Sequence, residues 1–328
     1  MTGVVAGGPG LARSATADPL FRLVAHALEA AHGRPPTAVW SAPHAFRLGA
    51  SGLVAAAGWP VAAAAAPRED GVVRLSSLSH PAHSCDLPLA LSGPPVTAPD
   101  WAVRTYALLR ALARAGYGRG GTDLHVQGSL SAAAGLALAE PADCAVALAV
   151  ADVHPRAVPA GSPGAPPGDP TGGPDAPPGV EPSRAELARL LARALPDGDG
   201  ALRRAVLFAR PGHALAEGAR AGGDPGGPPR HVGFDPAASG SRLVLIAVRG
   251  AAADRAADRD RAVACARRAG ALDVWQPGAR PGRAVVVRLP EDGVADARAA
   301  VAARFRARSR PVPRFLNIAV AGAARREE

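Results

Sequence analysis

A turn of small residues, Ser131 to Leu136, lies where the chain could hold a phosphate. Before it, residues Leu124 to Gln127 alternate between apolar and polar side chains and predict a strand. After it, an Ala/Leu/Val-rich segment that reaches Asp152 predicts a buried helix. Free backbone N–H groups and the positive end of the helix dipole would both point at such a turn. The sequence therefore predicts an anion site, although alanine-rich turns before helices are also common in alanine-rich chains.

The basic residues restrict the kind of phosphate chemistry. The chain contains no lysine, so all 37 basic residues are arginine. This excludes a Walker-type G-K-[ST] phosphate loop and any lysine Schiff base. The excess of Ala, Arg, Pro and Gly indicates a bias of coding composition, which makes arginine abundance weak evidence for function.

Charge and its distribution bear on the partners. The net charge of +9 favours anionic substrates through long-range steering. The arginines are nevertheless spread along the chain and interleaved with acids, as between Arg255 and Arg261. No basic run with interleaved aromatic residues is present, so we expect no nucleic-acid partner.

The cysteines and the apolar segments indicate the compartment. Cys85, Cys144 and Cys265 are isolated and show no CxxC spacing, which favours a reducing cytoplasm and no structural metal. The N-terminal residues lack the basic-then-apolar order of a signal peptide. The apolar run from Leu53 to Ala66 is too short and too rich in Gly, Pro and Ala to span a bilayer, so we expect buried strands and no membrane contact.

The length of 328 residues allows two domains. We expect a disordered tail over residues 1–16, an N-terminal domain over 17–155, a Pro/Gly-rich linker over 156–181 and a C-terminal domain over 182–328. Asp18 followed by Pro19 predicts the start of a helix. Ser183 and Glu186 form an S-x-x-E capping box that predicts another.

The phosphate turn resembles the second motif of the GHMP small-molecule kinases, galactokinase branch, which reads about P-x-G-A-G-L-S-S-S-A-A-L-E. Ala134, Gly135 and Leu136 match it, and the resemblance makes them nucleotide-binding residues. The serines of the motif are replaced here by Ala137, Leu138 and Ala139. Glu140 and Pro141 follow; we expect Glu140 to repel a phosphate and Pro141 to delay the start of the helix.

The first motif of that family, about A-P-G-R-V-N-L-I-G-E-H-T-D-Y, aligns with the stretch APHAFRLGASG, residues 42–52. The catalytic arginine of the family falls on Ala45, and its sugar-holding residues fall on Ser51, Gly52 and Val54. Arg47 lies two residues beyond Ala45, and we expect it to face the opposite side of the strand and to be a poor substitute. His44 is either a base or, more simply, a solvated histidine.

The remaining chemistry of the family is also altered. Its catalytic aspartate falls on Leu202, and a small register shift would bring in Asp199 instead; a solvated turn is the alternative for Asp199. The third motif, about G-A-G-F-G-G, falls on residues 278–283 and keeps Gly278 and Gly282 as nucleotide-binding positions. Arg280 and Arg283 replace glycines there and either contact phosphate or block its approach. The helix that starts at Trp101 and the H-V-G-F-D-P stretch at 231–236 extend the resemblance.

The resemblance implies a two-domain α+β fold with the ligand cleft between the domains. It implies transfer of the γ-phosphoryl group of ATP, with Mg²⁺, to the anomeric hydroxyl of galactose. Because the arginine, the aspartate, the sugar-binding residues and the serines are all replaced, the first hypothesis is a weak or inactive relative, a pseudoenzyme. The second is a kinase with catalytic groups from elsewhere, such as Asp199 with Arg47 or Arg283. The third is a non-catalytic sensor or partner-binding protein.

Overall fold

The computed structural model describes residues 11–13, 17–80, 84–89, 91–92, 96–154, 183–217, 229–279 and 282–327. The predicted linker over 156–181 and Arg280 lie outside these residues. Of the predicted tail, residues Leu11–Arg13 form a 3-10 turn. Leu11 and Ala12 pack beside the first helix, so these residues do not form a loose tail.

Some helices begin at residues that local capping chemistry favours. Asp18 accepts a hydrogen bond from the N–H of Leu20 at 2.8 Å, and Gly33 ends the same helix in the left-handed conformation, φ 76°. Ser183 accepts one from the N–H of Glu186 at 3.1 Å, which confirms the predicted cap. The helices are α1 (Pro19–His32), α2 (Asp100–Arg114), α3 (Ala139–Val153), α4 (Arg184–Ala194), α5 (Gly200–Phe208), α6 (Arg255–Arg268) and α7 (Val294–Arg306).

The described strands form two sheets. The strands are β1 (Ala38–Arg47), β2 (Leu53–Pro67), β3 (Val72–Ser76), β4 (Cys85–Pro88), β5 (Gly121–Gly128), β6 (His213–Ala216), β7 (His231–Gly233), β8 (Ser241–Ala247), β9 (Asp273–Trp275), β10 (Ala284–Pro290), β11 (Arg314–Ile318) and β12 (Arg325–Glu327). The larger sheet has the order β12-β1-β2-β5-β3-β4, with β6 paired to β2 and β7 to β6. The smaller sheet has the order β11-β8-β10-β9 and is antiparallel throughout. The apolar run from Leu53 is one long strand, β2, whose alanines are buried on both faces of the sheet.

Four hydrophobic clusters hold these layers together. Helices α2, α3, α4 and α5 pack on one face of the larger sheet, and α1 packs on the other. In the smaller sheet, Val244 and Ile246 face α6 and α7, whereas Leu243 and Leu245 face the larger sheet. This alternation follows from the two-residue period of a strand. The smaller sheet is therefore buried on both sides.

The cores divide the chain differently from the predicted boundary at residue 182. Helices α4 and α5 belong to the core of the larger sheet, and β6 and β7 extend that sheet. The C-terminal strand β12 pairs with β1. We call β1–β7, β12 and α1–α5 the first unit, and β8–β11 with α6 and α7 the second unit. The boundary differs because leucine-rich α4, although it follows the linker, buries its apolar stripe against the N-terminal helices.

Candidate active site in the cleft between the two units

A cleft of about 730 Å³ lies between the two units. The first unit contributes the end of β1, the small-residue turn Ser131 to Leu136, the first turn of α3, and the loop before α5. We call the turn Ser131 to Leu136 the phosphate-type turn. The second unit contributes the start of α6 and the loop between β9 and β10. The residues that line the cleft include Arg47, Gly135, Leu136, Glu140, Asp197, Asp199, Arg255, Gly278, Gly282 and Arg283.

Gly135 sits at the contact between the phosphate-type turn and the second unit. It is left-handed, φ 79°, and a Cβ here would lie 2.7 Å from Cβ of Ala284 and 2.8 Å from Cγ of Arg283. Only glycine fits this backbone and this close approach. Leu136 lines the cleft beside it, whereas Ala134 is buried in the core between the units and does not line the cleft.

The helix after this turn starts earlier than predicted. α3 begins at Ala139 and places Glu140 and Pro141 in its first turn. The expectation that Pro141 delays the helix is wrong, because the first N–H groups of a helix have no partner within it and proline lacks only that group. The positive end of α3 therefore lies at the cleft wall, as an anion site requires.

The carboxylate of Asp199 and the guanidinium of Arg47 meet in this cleft. Arg47 Nη2 lies 2.9 Å from both carboxylate oxygens of Asp199. Asp199 is also the N-cap of α5 and accepts the N–H groups of Ala201 at 3.0 Å and Leu202 at 3.2 Å. Its side chain is only 16% exposed. A freely solvated turn residue is therefore the wrong description of Asp199.

The expectation that Arg47 faces away from the site is also wrong. Residues two apart on a strand share a face, so Arg47 points to the same side as Ala45. Ala45 packs in the core of the first unit, and Arg47, at the end of β1, emerges from that core into the cleft. Glu217, which follows β6, forms a second ion pair with Arg47 through Nη1. Arg47 is thus held between two carboxylates, and it places its guanidinium in the cleft where the predicted motif position has only a methyl group.

Glu140 links the phosphate-type turn to Asp199. Its carboxylate oxygen Oε1 accepts the backbone N–H of Asp199 at 3.0 Å. The residue is 7% exposed and lines the cleft. Asp197, in contrast, has a largely exposed side chain that pairs with Arg104. Glu140 is thus the buried carboxylate nearest in sequence to the phosphate-type turn.

The second unit presents arginines to the cleft. Arg255 is the first residue of α6, and Arg283 lies just before β10. Among the described residues neither has a carboxylate partner, and Nε of Arg255 is buried without a hydrogen bond. These two guanidinium groups are available to an anion in the cleft.

The positions aligned with sugar-holding residues lie elsewhere. Ser51, Gly52 and Val54 do not line the cleft; Val54 is in the core, and Ser51 donates to the carbonyl of Leu48 at 2.5 Å. Trp275 of the second unit packs over Gly49, where a Cβ would lie 2.6 Å from its ring. In the described part of the chain, the three positions that the resemblance assigns to sugar contacts therefore do not line this cleft.

His44 is neither a solvated residue nor a base in the cleft. It is fully buried, its Nδ1 lies 3.0 Å from the carbonyl oxygen of Ala137, and it does not line the cleft. Burial lowers the pKa of its imidazole, which therefore stays neutral. His44 thus contacts the backbone directly after the phosphate-type turn.

A second cavity, of about 520 Å³, lies on the other side of the same turn and shares Ala132 with the cleft. Trp101 and Ser76 line it, and the ring of His80 stacks on Trp101 with 5.3 Å between ring centroids. Nε1 of Trp101 is buried without a partner among the described residues. Tyr106, by comparison, is a core residue whose hydroxyl donates to the carbonyl of Pro88 at 2.6 Å. The cavity therefore has an aromatic wall with an N–H donor that lacks a partner among the described residues.

Sequence reasoning missed several of these residues. No local signal marks Glu217, Arg255, Trp275 and His80, because each reaches its site through packing between elements that are distant in the sequence. Glu140 was visible in the sequence, but its contact with Asp199 spans 59 positions and no short motif encodes it.

No known protein-family profile and no curated protein sequence matches the chain. Solved structures do match it. The galactokinase of Lactococcus lactis, solved with galactose, matches with a TM-score of 0.67 and 13% identity over 93% of this chain and 99% of that chain. The chain has the GHMP-kinase fold.

Two mevalonate kinase structures share this fold. One matches with a TM-score of 0.59 at 9% identity, over 87% of this chain and 99% of that chain. The enzyme of Methanococcus jannaschii matches with a TM-score of 0.56 at 9% identity, over 87% of this chain and 98% of that chain. The predicted α+β GHMP-kinase fold is confirmed, while identities this low show the fold alone. Among the described residues, no helix combines the length and apolarity needed to cross a membrane.

Proposed function

We propose that this protein is a small-molecule kinase that transfers the γ-phosphoryl group of ATP to a hydroxyl group of a sugar or similar polyol. The observation that carries the proposal is the paired Arg47 and Asp199, which face the cleft beside the Gly135 turn. This arrangement favours the hypothesis of catalytic groups taken from new positions over that of an erased site.

Asp199 is the acceptor for the proton of the attacking hydroxyl. Two backbone N–H groups and Arg47 fix its carboxylate, so it does not need to be reoriented when substrate binds. Its Oδ2 accepts only from Arg47 among the described residues, and a carboxylate oxygen has room for a further donor. Arg47 supplies positive charge beside the reacting groups, where phosphoryl transfer needs it.

The nucleotide lies across the phosphate-type turn. Its base occupies the Trp101 cavity, its phosphates lie at the Gly135 turn and the N-terminus of α3, and Arg255 and Arg283 face them from the second unit. Gly278 and Gly282 line the cleft from the second unit, and a Cβ on Gly282 would make only an ordinary contact, 3.9 Å from the carbonyl oxygen of Gly135. This placement joins the two cavities, which meet at Ala132, into one nucleotide and acceptor site.

The residues present also fit Mg²⁺, which binds with nucleotide phosphates through one or two protein carboxylates. Glu140 is the residue that would hold it, because its carboxylate lies in the cleft wall at the phosphate-type turn. The ion would neutralise charge that develops on the phosphates. With the ion bound, the charge of Glu140 would no longer oppose a phosphate.

A second candidate is a non-catalytic nucleotide-binding protein on the same fold. The absence of serine hydroxyls at Ala137, Leu138 and Ala139 favours it, because one lost electrostatic stabiliser costs on the order of 3 kcal/mol in a transition state. The resemblance implies galactose as the acceptor. The positions that it assigns to sugar contacts, Ser51, Gly52 and Val54, lie outside the cleft, so galactose is one acceptor to be tested among others.

The test is ADP release by the full chain with ATP, Mg²⁺ and a panel of hydroxyl acceptors that begins with galactose. We expect acceptor-dependent ADP that falls at least about a hundredfold in Asp199→Asn and in Arg47→Met. The control Glu291→Gln changes an exposed ion pair with Arg242 and should keep full activity. If ATP raises the melting temperature but no acceptor gives ADP, the non-catalytic candidate is supported instead. If ATP gives neither turnover nor a shift in melting temperature, both candidate functions are wrong.

A further inference from the structure

Three charged residues join α2, α3 and α5 beside the loop that connects α4 to α5. Asp143 on α3 is 4% exposed, and Arg203 on α5 is 3% exposed. Arg104 of α2 donates to both carboxylate oxygens of Asp143, through Nε at 3.1 Å and Nη2 at 2.8 Å. Nη2 of Arg203 lies 3.3 Å from Oδ2 of the same carboxylate. We call Asp143, Arg104 and Arg203 the ion cluster; none of the three lines the cleft.

The arginines of the ion cluster also hold the loop itself. Nη1 of Arg203 donates to the carbonyl oxygens of Leu191, at 3.1 Å, and Leu195, at 2.8 Å. Nη1 of Arg104 donates to Oδ2 of Asp197 at 2.9 Å. The end of α4 and the loop that follows it are therefore bound to the same two guanidinium groups.

Gly198 of this loop lies directly against those guanidinium groups. A Cβ here would lie 2.0 Å from Nη2 of Arg203 and 3.0 Å from Nη2 of Arg104, so only glycine allows the close approach. Asp199 is the next residue, and its N–H is accepted by Glu140 of α3. Glu140 lies three residues before the carboxylate of the ion cluster, on the same side of α3. Two carboxylates of α3 thus fix one loop, the first directly and the second through arginines.

The ion cluster is an expensive way to fill this space. Removing charged groups from water costs free energy that their pairing recovers only in part, so apolar residues of similar size often give equal or greater stability. Burial raises the pKa of the Asp143 carboxyl above its usual value, although the hydrogen bonds from Arg104 oppose the shift. Stability alone therefore does not account for the cluster. Directed hydrogen bonds from planar guanidinium groups, in contrast, hold a loop in a single position.

We propose that Asp143 is a positioning residue, which acts through Arg104 and Arg203 to hold Asp199 where it can accept the proton of the attacking hydroxyl. The catalytic part of this inference rests on the proposed function, whereas the placement of Asp199 does not. Because Asp143 lies outside the cleft, its loss should displace Asp199 and leave the nucleotide-binding residues in place.

The test is hydrogen exchange of single backbone amides, followed by NMR on the isotope-labelled full chain. In Asp143→Asn and in Gly198→Ala, the amide of Asp199 should exchange at least about tenfold faster than in the parent protein. The amide of Ala63, on a strand that is paired on both sides, reports global unfolding. If the exchange of Ala63 rises by the same factor, Asp143 only stabilises the fold and the proposal is wrong.

Each variant has a matched control. Gly200→Ala adds a Cβ two residues further along the chain, where nothing lies within 4 Å of it. Asp258→Asn changes another buried carboxylate, which pairs with Arg261 and Arg310 in the second unit. Both controls should leave exchange of the Asp199 amide at the parent rate. Parent rates in both test variants, or equal acceleration in the controls, would overturn the proposal.

Turnover separates this inference from the proposed function. If the parent protein releases acceptor-dependent ADP, Gly198→Ala should lower kcat about tenfold and change KM for ATP less than about twofold, since the phosphate contacts are kept. An unchanged kcat would overturn the catalytic part of the inference. If the parent protein releases no ADP, the proposed function is wrong, and hydrogen exchange alone decides whether the ion cluster places Asp199.

Discussion

The side chain of Glu140 accepts a hydrogen bond from the backbone N–H of Asp199, with 3.0 Å between Oε1 and N. This contact joins the first turn of α3 to the N-cap of α5. It brings the two halves of the candidate site, the phosphate-type turn and the carboxylate that we propose as proton acceptor, into one fixed arrangement. A carboxylate that looks unfavourable beside a phosphate therefore has a structural role of its own.

Glu140→Ala should destabilise the protein and misplace Asp199. The substitution leaves the N–H of Asp199 without its side-chain acceptor, which costs about 1–3 kcal/mol when the group is buried. Glu140→Gln keeps an acceptor oxygen and should recover most of that loss. Urea unfolding of both variants measures the difference, and equal stability of the two would mean that this hydrogen bond contributes little.

Gly135→Ala should weaken the contact between the two units. The left-handed backbone costs an L-residue about 1–2 kcal/mol, and the collision of the new Cβ with Ala284 and Arg283 adds about 1–3 kcal/mol. Gly270→Ala is the matched control: its φ is 87°, but nothing lies within 4 Å of the Cβ position. Thermal unfolding should show a clearly larger loss of stability for Gly135→Ala than for Gly270→Ala. Similar losses would mean that the collision with Ala284 and Arg283 adds nothing to the cost.

Trp101→Leu should weaken ADP binding while the fold is kept. If the base stacks on Trp101, loss of the ring removes about 1–3 kcal/mol, a fivefold to hundredfold rise in Kd. Val103→Ala changes an exposed residue of the same helix that does not line the Trp101 cavity, and it should leave Kd unchanged. Calorimetric titration gives both values, and an unaltered Kd for Trp101→Leu would place the base elsewhere.

Acid should destabilise the protein through His125. Burial, with a smaller contribution from nearby His32, lowers the pKa of His125 from 6.5 to about 4. The unfolded chain then binds a proton that the folded chain does not, so stability is full above pH 6.5 and falls as the pH drops toward 4. This residue accounts for a loss of about 3 kcal/mol at most.

Denaturant unfolding between pH 7 and 4.5 measures that loss. His125→Gln removes the titrating group and keeps a polar partner for Ser76, whose Oγ lies 2.9 Å from Nδ1 of His125, so its stability should depend less steeply on pH. His26→Gln, an exposed histidine on α1, should follow the parent curve. If the stability of His125→Gln depends on pH as steeply as that of the parent protein, other groups cause the acid sensitivity.

The sequence predicted those features that depend on neighbours in the chain. The caps at Asp18 and Ser183, the strand around Leu124 and the turn before α3 all follow from side chains within a few residues of each other. The resemblance to galactokinases gave the fold, because the order of motifs survives although their polar residues do not. Asp199 and Arg47 were named as candidates, but neither their pairing nor their orientation followed from the motif alignment.

Composition and local pattern by themselves determined that the apolar run from Leu53 is buried strand, that the cations of the chain are all arginine, and where its phosphate-type turn lies. Only the tertiary structure decided that Arg47 meets Asp199, across 152 positions, and that α4 and α5 join the first unit. The physical reason is that a strand or helix start depends on adjacent residues, whereas a cleft forms where distant elements pack. That packing minimises exposed apolar surface over the whole chain, and no short window of sequence contains it.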